Sequence, residues 1–257
     1  FSSRSRHTRS DRDWSSDVCS SDLKASKAWS RITSYLRGQI MYRMAEMLEG
    51  RREEFVLAIR ITHNITASNA RKEVDASVDR LIRFAGWTDK HQQILGSANS
   101  VAGQYYNFTI PQAQGVVAVV APQTPSLLGL VTMIGAPLCA GNTIVAVGSE
   151  AHPIPTAIFG EVCKTSDVPA GVINLLTGSQ SELLEQIATH RQVAAIHASD
   201  MRKKDRTAMK IGASDSLKRI HFCDLNTDEW YDDRKAASPW NIEPFVEMKT
   251  IWHPSAC

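Results

Sequence analysis

The 257-residue sequence has no excess of charge of one sign: 29 Lys and Arg stand against 27 Asp and Glu, for a formal net charge of +2. That removes a general electrostatic case for nucleic acid or an anionic membrane surface. It also lacks paired cysteines. Cys19, Cys139, Cys163, Cys223 and Cys257 are odd in number and widely spread, which excludes a disulfide framework and a Cys-x-x-Cys metal module. A reducing, cytoplasmic location is therefore expected. The eight histidines include no His-x-x-x-His spacing, so no metal site is expected either. What remains is enough chain for one large or two modest globular domains.

Residues 1–23 lack both an apolar period and the hydrophobic stretch of a signal peptide. From Asp13 to Leu23 they resemble the translation of a common sequencing-adapter oligonucleotide ending TGC TCT TCC GAT CT, whose codons match Cys19-Ser20-Ser21-Asp22-Leu23. Residues 1–23 are accordingly set aside as foreign and without structure, and the natural chain is expected to continue upstream of Lys24.

Over Ser34–Arg60, Leu36, Ile40, Met44, Met47, Leu48 and Phe55 recur at steps of three and four, with Arg43, Glu46, Glu49, Arg52 and Glu53 on the other face. The spacing predicts one amphipathic helix. A second is predicted from an N-cap at Ser68, with Val74, Val78, Leu81, Ile82 and Ala85 on its stripe. Neither carries a chemical motif. Between His91 and Ser149 there is no Asp, Glu, Lys or Arg. Pro122, Pro125 and Pro137, with four glycines, interrupt every possible membrane span, so the stretch reads instead as the buried strands and helix of a doubly covered sheet. Strand-like 115–121, 142–147, 171–176, 193–197 and 217–222 alternate with helical 127–138, 155–164, 181–189 and 202–211. That is βαβ spacing, hence an open α/β sheet. Tyr105–Ile110 and Glu247–Trp252 read as edge strands.

Several of these blocks resemble the aldehyde dehydrogenase superfamily. They are Gly115-Val116-Val117-Ala118-Val119-Val120-Ala121-Pro122, Ala140-Gly141-Asn142-Thr143-Ile144-Val145 followed by Ser149-Glu150, Pro169-Ala170-Gly171-Val172-Ile173-Asn174, and Thr177-Gly178. Glu247–Trp252 looks like the family's C-terminal oligomerisation strand, and the ending Met-Lys-Thr-Ile-Trp-His-Pro looks like the degenerate C-terminal unit of aldehyde dehydrogenase family 16. The resemblance implies an α/β fold: a Rossmann-like open parallel sheet flanked by helices, with N-terminal helices and edge oligomerisation strands, and with the catalytic domain missing. The implied organisation is a helical segment at 24–103, a dinucleotide-binding-type domain at 104–223, and an aromatic-rich loop with the oligomerisation strand at 224–257.

The resemblance also implies NAD as the parent family's cofactor, weak or absent in this chain. Ser149, Glu150 and Gly178 are the positions where cofactor contacts survive. Others depart from the pattern. Thr124 stands where an Asn stabilises the oxyanion, and Val147 where a Lys holds the adenosine ribose. His197-Ala198-Ser199-Asp200 replaces the Phe-Thr-Gly-Ser turn under the pyrophosphate, and Gly178-Ser179-Gln180 keeps only the first glycine of a Gly-x-Gly turn. Cys223-Asp224-Leu225-Asn226-Thr227 replaces the catalytic glutamate motif, and the nucleophile's domain has no room beyond it. No catalytic residue is therefore assigned.

The expected function is a noncatalytic domain, a fragment of a larger NAD-dependent aldehyde dehydrogenase that supports dimerisation or an active unit upstream. Two other readings stand beside it. One is a minimal NAD-dependent oxidoreductase using Cys223, with His221 two residues away on the same strand face. The other is a dinucleotide-sensing module. Cys139 is expected to be a packed helix-end residue, and Cys163 to lie in a helix. Trp230, Tyr231, Trp240, Phe245 and Trp252 are dense enough near one end to suggest packing on a neighbour, in this chain or another subunit. The partner would be a second copy or an aldehyde dehydrogenase unit in the same polypeptide, with neither nucleic acid nor a membrane.

Overall fold

A computed structural model describes residues 25–255; the adapter-like segment and Cys257 lie outside them. The amino-terminal layer is helical: α1 (Ser34–Gly50), α2 (Arg52–His63), α3 (Ala67–Trp87) and a short α4 (His91–Leu95). The single helix expected over Ser34–Arg60 is thus two. It breaks at Arg51, whose φ of −105° and ψ of 17° leave the helical region. The expected stripe needs two corrections, because Leu36 and Ile82 face solvent. The N-cap of α3 is Thr66 rather than Ser68: its side chain accepts a hydrogen bond from Asn69 N, closing the first turn.

β1 (Ser97–Asn99) and β2 (Tyr105–Ala113) lead into the α/β core. The core runs β3 (Val116–Val120), α5 (Ser126–Cys139), β4 (Thr143–Val147), α6 (Ile154–Thr165), β5 (Ile173–Leu176), α7 (Gln180–Thr189), β6 (Val193–Ser199), α8 (Lys203–Ser214) and β7 (Arg219–Cys223). The five strands are parallel, in the order β5-β4-β3-β6-β7. Val117 and Val119 face the layer built from α1 to α3, α5 and α6, while Ala118 and Val120 face Leu184, Ile187 and Met209 of α7 and α8. Every residue of β3 and β4 is buried, because both faces are covered; that is why these strands read as unbroken apolar runs. Leu217 is the exception to the strand expected from it: it is exposed, at φ 52°, and β7 begins two residues later.

Two close approaches bind the helical layer to the sheet. A Cβ added to Gly135 of α5 would lie 2.4 Å from the Phe84 ring of α3, so only glycine lets the helices meet there. Pro137 lies inside α5 and has no N–H for the carbonyl of Met133, four residues earlier. The Nδ1–H of His197 on β6 donates to that oxygen at 3.1 Å, satisfying a buried acceptor the helix cannot.

A second, antiparallel sheet has the order β1-β2-β8, with β8 (Val246–Pro254) paired to β2 from Tyr105↔Pro254 to Ala113↔Val246. Between β7 and β8, residues 224–245 fold back onto the same chain. Trp230, Ile242 and Phe245 are buried in the main core, whereas Trp240 and Trp252 are exposed. The buried aromatics of this segment therefore dock within the chain. Arg80 of α3 fastens the segment, its guanidinium donating to Thr132 Oγ1 at 2.5 Å, Trp230 O at 2.7 Å and Asp233 Oδ1 at 3.3 Å.

Candidate functional site

In an open parallel sheet, ligands bind outside the carboxyl ends of the strands where the strand order reverses. Here the chain moves from β3 to β4 to β5 and then returns to place β6 on the other side of β3. Gln123 and Thr124 follow β3, Ser149 and Glu150 follow β4, Gly178 follows β5, and Asp200 follows β6. The expected cofactor positions Ser149, Glu150 and Gly178 thus come together at one end of the sheet, with Thr124 exposed nearby.

Their hydrogen bonds run inward. Ser149 is fully buried and its Oγ donates within reach of Gln123 O at 3.1 Å and Gln123 Oε1 at 3.0 Å. Ala151 N also donates to Gln123 Oε1, at 2.9 Å, and His152 N donates to Ser149 Oγ at 3.0 Å. The Glu150 carboxylate accepts from the backbone N–H of Gln180 at 2.9 Å, and Asp200 Oδ2 accepts from Gln123 N at 3.1 Å. Gly178 has a φ of 152°, and an added Cβ would meet open space; its glycine is required by the backbone rather than by crowding. Val147, in the ribose-lysine position, is wholly buried in β4.

A cavity of about 120 Å³ lies at the end of β6 and β7, lined among others by His197, His221, Cys223, Lys235 and Asn241. It brings Cys223 and His221 together, as their strand spacing requires. Burial pushes the Cys223 thiol up to about 12. Burial also lowers His221, and drives His197 down to about 3 with His221 adding to the effect. At neutral pH this is a neutral thiol beside neutral imidazoles, the opposite of the electropositive setting that activates a cysteine. Asp224 is the carboxylate nearest the displaced glutamate motif, and it is ion-paired with Arg206. Cys139 and Cys163 are buried on α5 and α6, where burial pushes Cys163 up to about 12 and Cys139 higher still. Among the described residues no three His, Cys, Asp or Glu side chains converge to hold a metal ion.

A third constellation gave no signal in the sequence. His63 at the end of α2 stacks on His152, ring centroids 3.7 Å apart, and its Nε2 lies 2.8 Å from Ser126 Oγ. Ser126 is fully buried at the start of α5, however, and the next two backbone N–H groups are taken by Glu73 Oε1, at 2.8 Å from Leu127 N and 3.4 Å from Leu128 N. The carboxylate serves the orphan donors of a helix that has no acidic residue in its own first turn. A serine with no access and a carboxyl oxygen already filling its would-be oxyanion donors is a helix anchor. Burial also pulls His63 down to about 4.

The family model for the aldehyde dehydrogenase family matches residues 6–222. The chain belongs to the aldehyde dehydrogenase family. Human cytosolic 10-formyltetrahydrofolate dehydrogenase is 29% identical over 214 residues, 77% of this chain and 24% of that protein. Aldehyde dehydrogenase, cytosolic 1, of Elephantulus edwardii is 26% identical over 195 residues, 75% of this chain and 38% of that protein. Among solved structures, PnpE from Pseudomonas sp. WBC-3 superimposes with a TM-score of 0.75 at 26% identity, over 80% of this chain and 42% of that one. PnpE has also been solved with nicotinamide adenine dinucleotide, and that structure aligns equally well. The chain therefore spans well under half the length of the relatives it matches, while sharing the family's α/β architecture. The match begins at residue 6, inside the segment set aside as foreign. No helix among the described residues is long and apolar enough to cross a membrane.

Proposed function

We propose that this chain is a noncatalytic aldehyde-dehydrogenase-type domain, part of a larger NAD-dependent aldehyde dehydrogenase, that supports dimerisation or an active unit elsewhere in the polypeptide. The observation that carries this is the path from β7 to β8. Where the family resemblance puts the catalytic glutamate and then the nucleophile's domain, residues 224–245 fold straight back over the core and lead into β8. The family's chemistry needs a thiolate to attack the aldehyde, a hydride acceptor, and a carboxylate that activates water. Cys223 is a half-buried thiol whose pKa burial raises to about 12, and Asp224 is held by Arg206.

The residues present do not fit a bound dinucleotide as they stand. The lysine position is a buried valine, Ser149 and Glu150 are hydrogen-bonded into the protein, and Asp200 adds an anion at the end of β6. Ser149, Glu150 and Gly178 are read as what survives of the family's cofactor contacts. The exposed Tyr105, Tyr106 and Trp252 of the β2–β8 sheet support an assembly role. The ending Met248–Pro254 supports the likeness to aldehyde dehydrogenase family 16. The test is NADH formation by the full chain with aliphatic and aromatic aldehydes at saturating NAD. No turnover above that of Cys223→Ala is expected; turnover abolished by Cys223→Ala would replace this reading with a minimal oxidoreductase. Long-read sequencing of the source DNA across codon 24 tests the rest: the expected result is an open frame entering from an upstream aldehyde dehydrogenase unit, without the adapter-like codons.

A further inference from the structure

The carboxyl-end crevice is occupied by the chain's own amides. Gln180 stands at the second glycine of the Gly-x-Gly turn, where a glycine lets backbone and ligand approach closely. Its side chain runs inward and is only 7% exposed. Nε2 donates to Ala121 O at 2.8 Å and to Gly148 O at 2.9 Å, bridging the ends of β3 and β4. Oε1 accepts from Gln123 Nε2 at 2.7 Å, leaving Gln123 Oε1 to accept from Ser149 and Ala151. Each amide's orientation is dictated by its partners, since carbonyl oxygens only accept and backbone N–H groups only donate. The same residue's backbone N–H takes the Glu150 carboxylate, the group the family resemblance puts against a ribose hydroxyl.

We propose that Gln180 is a built-in latch that closes the nucleotide crevice of this domain. This rests on the noncatalytic reading above and gives it a residue-level cause. A nucleotide entering the crevice must displace a side chain whose two amide protons and carbonyl oxygen are all satisfied, and must release Glu150 from the start of α7. Loss of the ribose lysine weakens a site that has room; the latch removes the room.

The test is calorimetric titration of the 257-residue chain with NAD and with ADP-ribose, for the unsubstituted sequence, Gln180→Gly and Gln180→Asn. Asparagine keeps the amide and the start of α7 but is one methylene too short to bridge both carbonyls. The unsubstituted chain is expected to bind no tighter than about 1 mM. Both variants are expected to bind at least about tenfold tighter, and Glu150→Ala in the Gln180→Gly background to reverse the gain. Variants that keep the unsubstituted chain's far-ultraviolet circular dichroism yet bind no tighter overturn the latch and leave the noncatalytic reading standing. Tight binding by the unsubstituted chain overturns both the closed crevice and the vacant-site reading. Hydrogen exchange on the unsubstituted chain needs no variant: a closed latch protects the Gln180 and Ala151 amides, and exchange at random-coil rates refutes it.

Discussion

Acidification should destabilise this domain through His197, by an amount that follows from its surroundings. The ring is 3% exposed, donates to the carbonyl orphaned by Pro137, and lies 4.7 Å from Phe245 and 5.3 Å from His221 between ring centroids. A proton placed on it would be buried beside a second imidazole, so its pKa falls to about 3 from the ordinary 6.5. The unfolded chain takes up that proton below 6.5 and the folded chain only near 3. The contribution is therefore fully present above about pH 6.5 and is lost as pH falls, at about 1.4 kcal/mol per pH unit. Between pH 7.5 and 5 the loss is about 2 kcal/mol, a large part of a typical domain's stability of about 5–15 kcal/mol. His63, His91 and His221 are also lowered by burial and act with the same sign. Glu73, raised by burial, acts oppositely, because acid relieves the cost of its buried charge. The variant His197→Phe isolates the one residue. Urea unfolding followed by tryptophan fluorescence at pH 7.5, 6 and 5 should show a difference between pH 7.5 and 5 that is smaller by about 2 kcal/mol in the variant. Equal differences in the two proteins would refute the assignment of a buried, neutral His197.

Gly135→Ala should cost about 1–3 kcal/mol, because its Cβ would collide with the Phe84 ring; an unchanged urea midpoint would mean that α3 and α5 are free to move apart. Arg80→Ala should cost about 3 kcal/mol and make residues 224–245 the first site of proteolysis, since it leaves the Trp230 carbonyl without its donor and empties a buried volume. A loss under about 0.5 kcal/mol would show that the segment is held by its aromatics alone. Cys223 should react with a disulfide reagent more slowly in the folded chain than in urea, by about 30-fold once the roughly 1000-fold smaller thiolate fraction is offset by the greater nucleophilicity of a more basic thiolate, as read by peptide mass spectrometry. Labelling at the rate of a free thiol would return Cys223 to candidacy as a nucleophile.

The α/β sheet is legible in the amino-acid sequence alone. A parallel strand covered on both faces has no polar side to show, so the uncharged run from His91 to Ser149 and the helical periods after it were sufficient. Cys139 is legible for the same reason, since apolar neighbours at a helix end predict its packing, whereas for Cys163 the sequence predicts the helix and the structure adds its burial. Periodicity could not see the break at Arg51, because a one-residue departure from helical φ and ψ shifts the apolar stripe too little to register over one turn. Nor does it say which stripe residues the rest of the chain reaches, and Leu36 and Ile82 point outward. The loss of the second glycine at Gln180 was visible, but where that side chain goes was not. Its partners Ala121, Gly148 and Gln123 sit on other loops, and only the sheet order brings those loops together. The stacking of His63 on His152 and the capping of α5 by Glu73 were likewise beyond reach of the sequence. Contacts between residues far apart in the chain leave no period or motif; the tertiary structure alone decides them, by setting which buried polar atoms have no other partner.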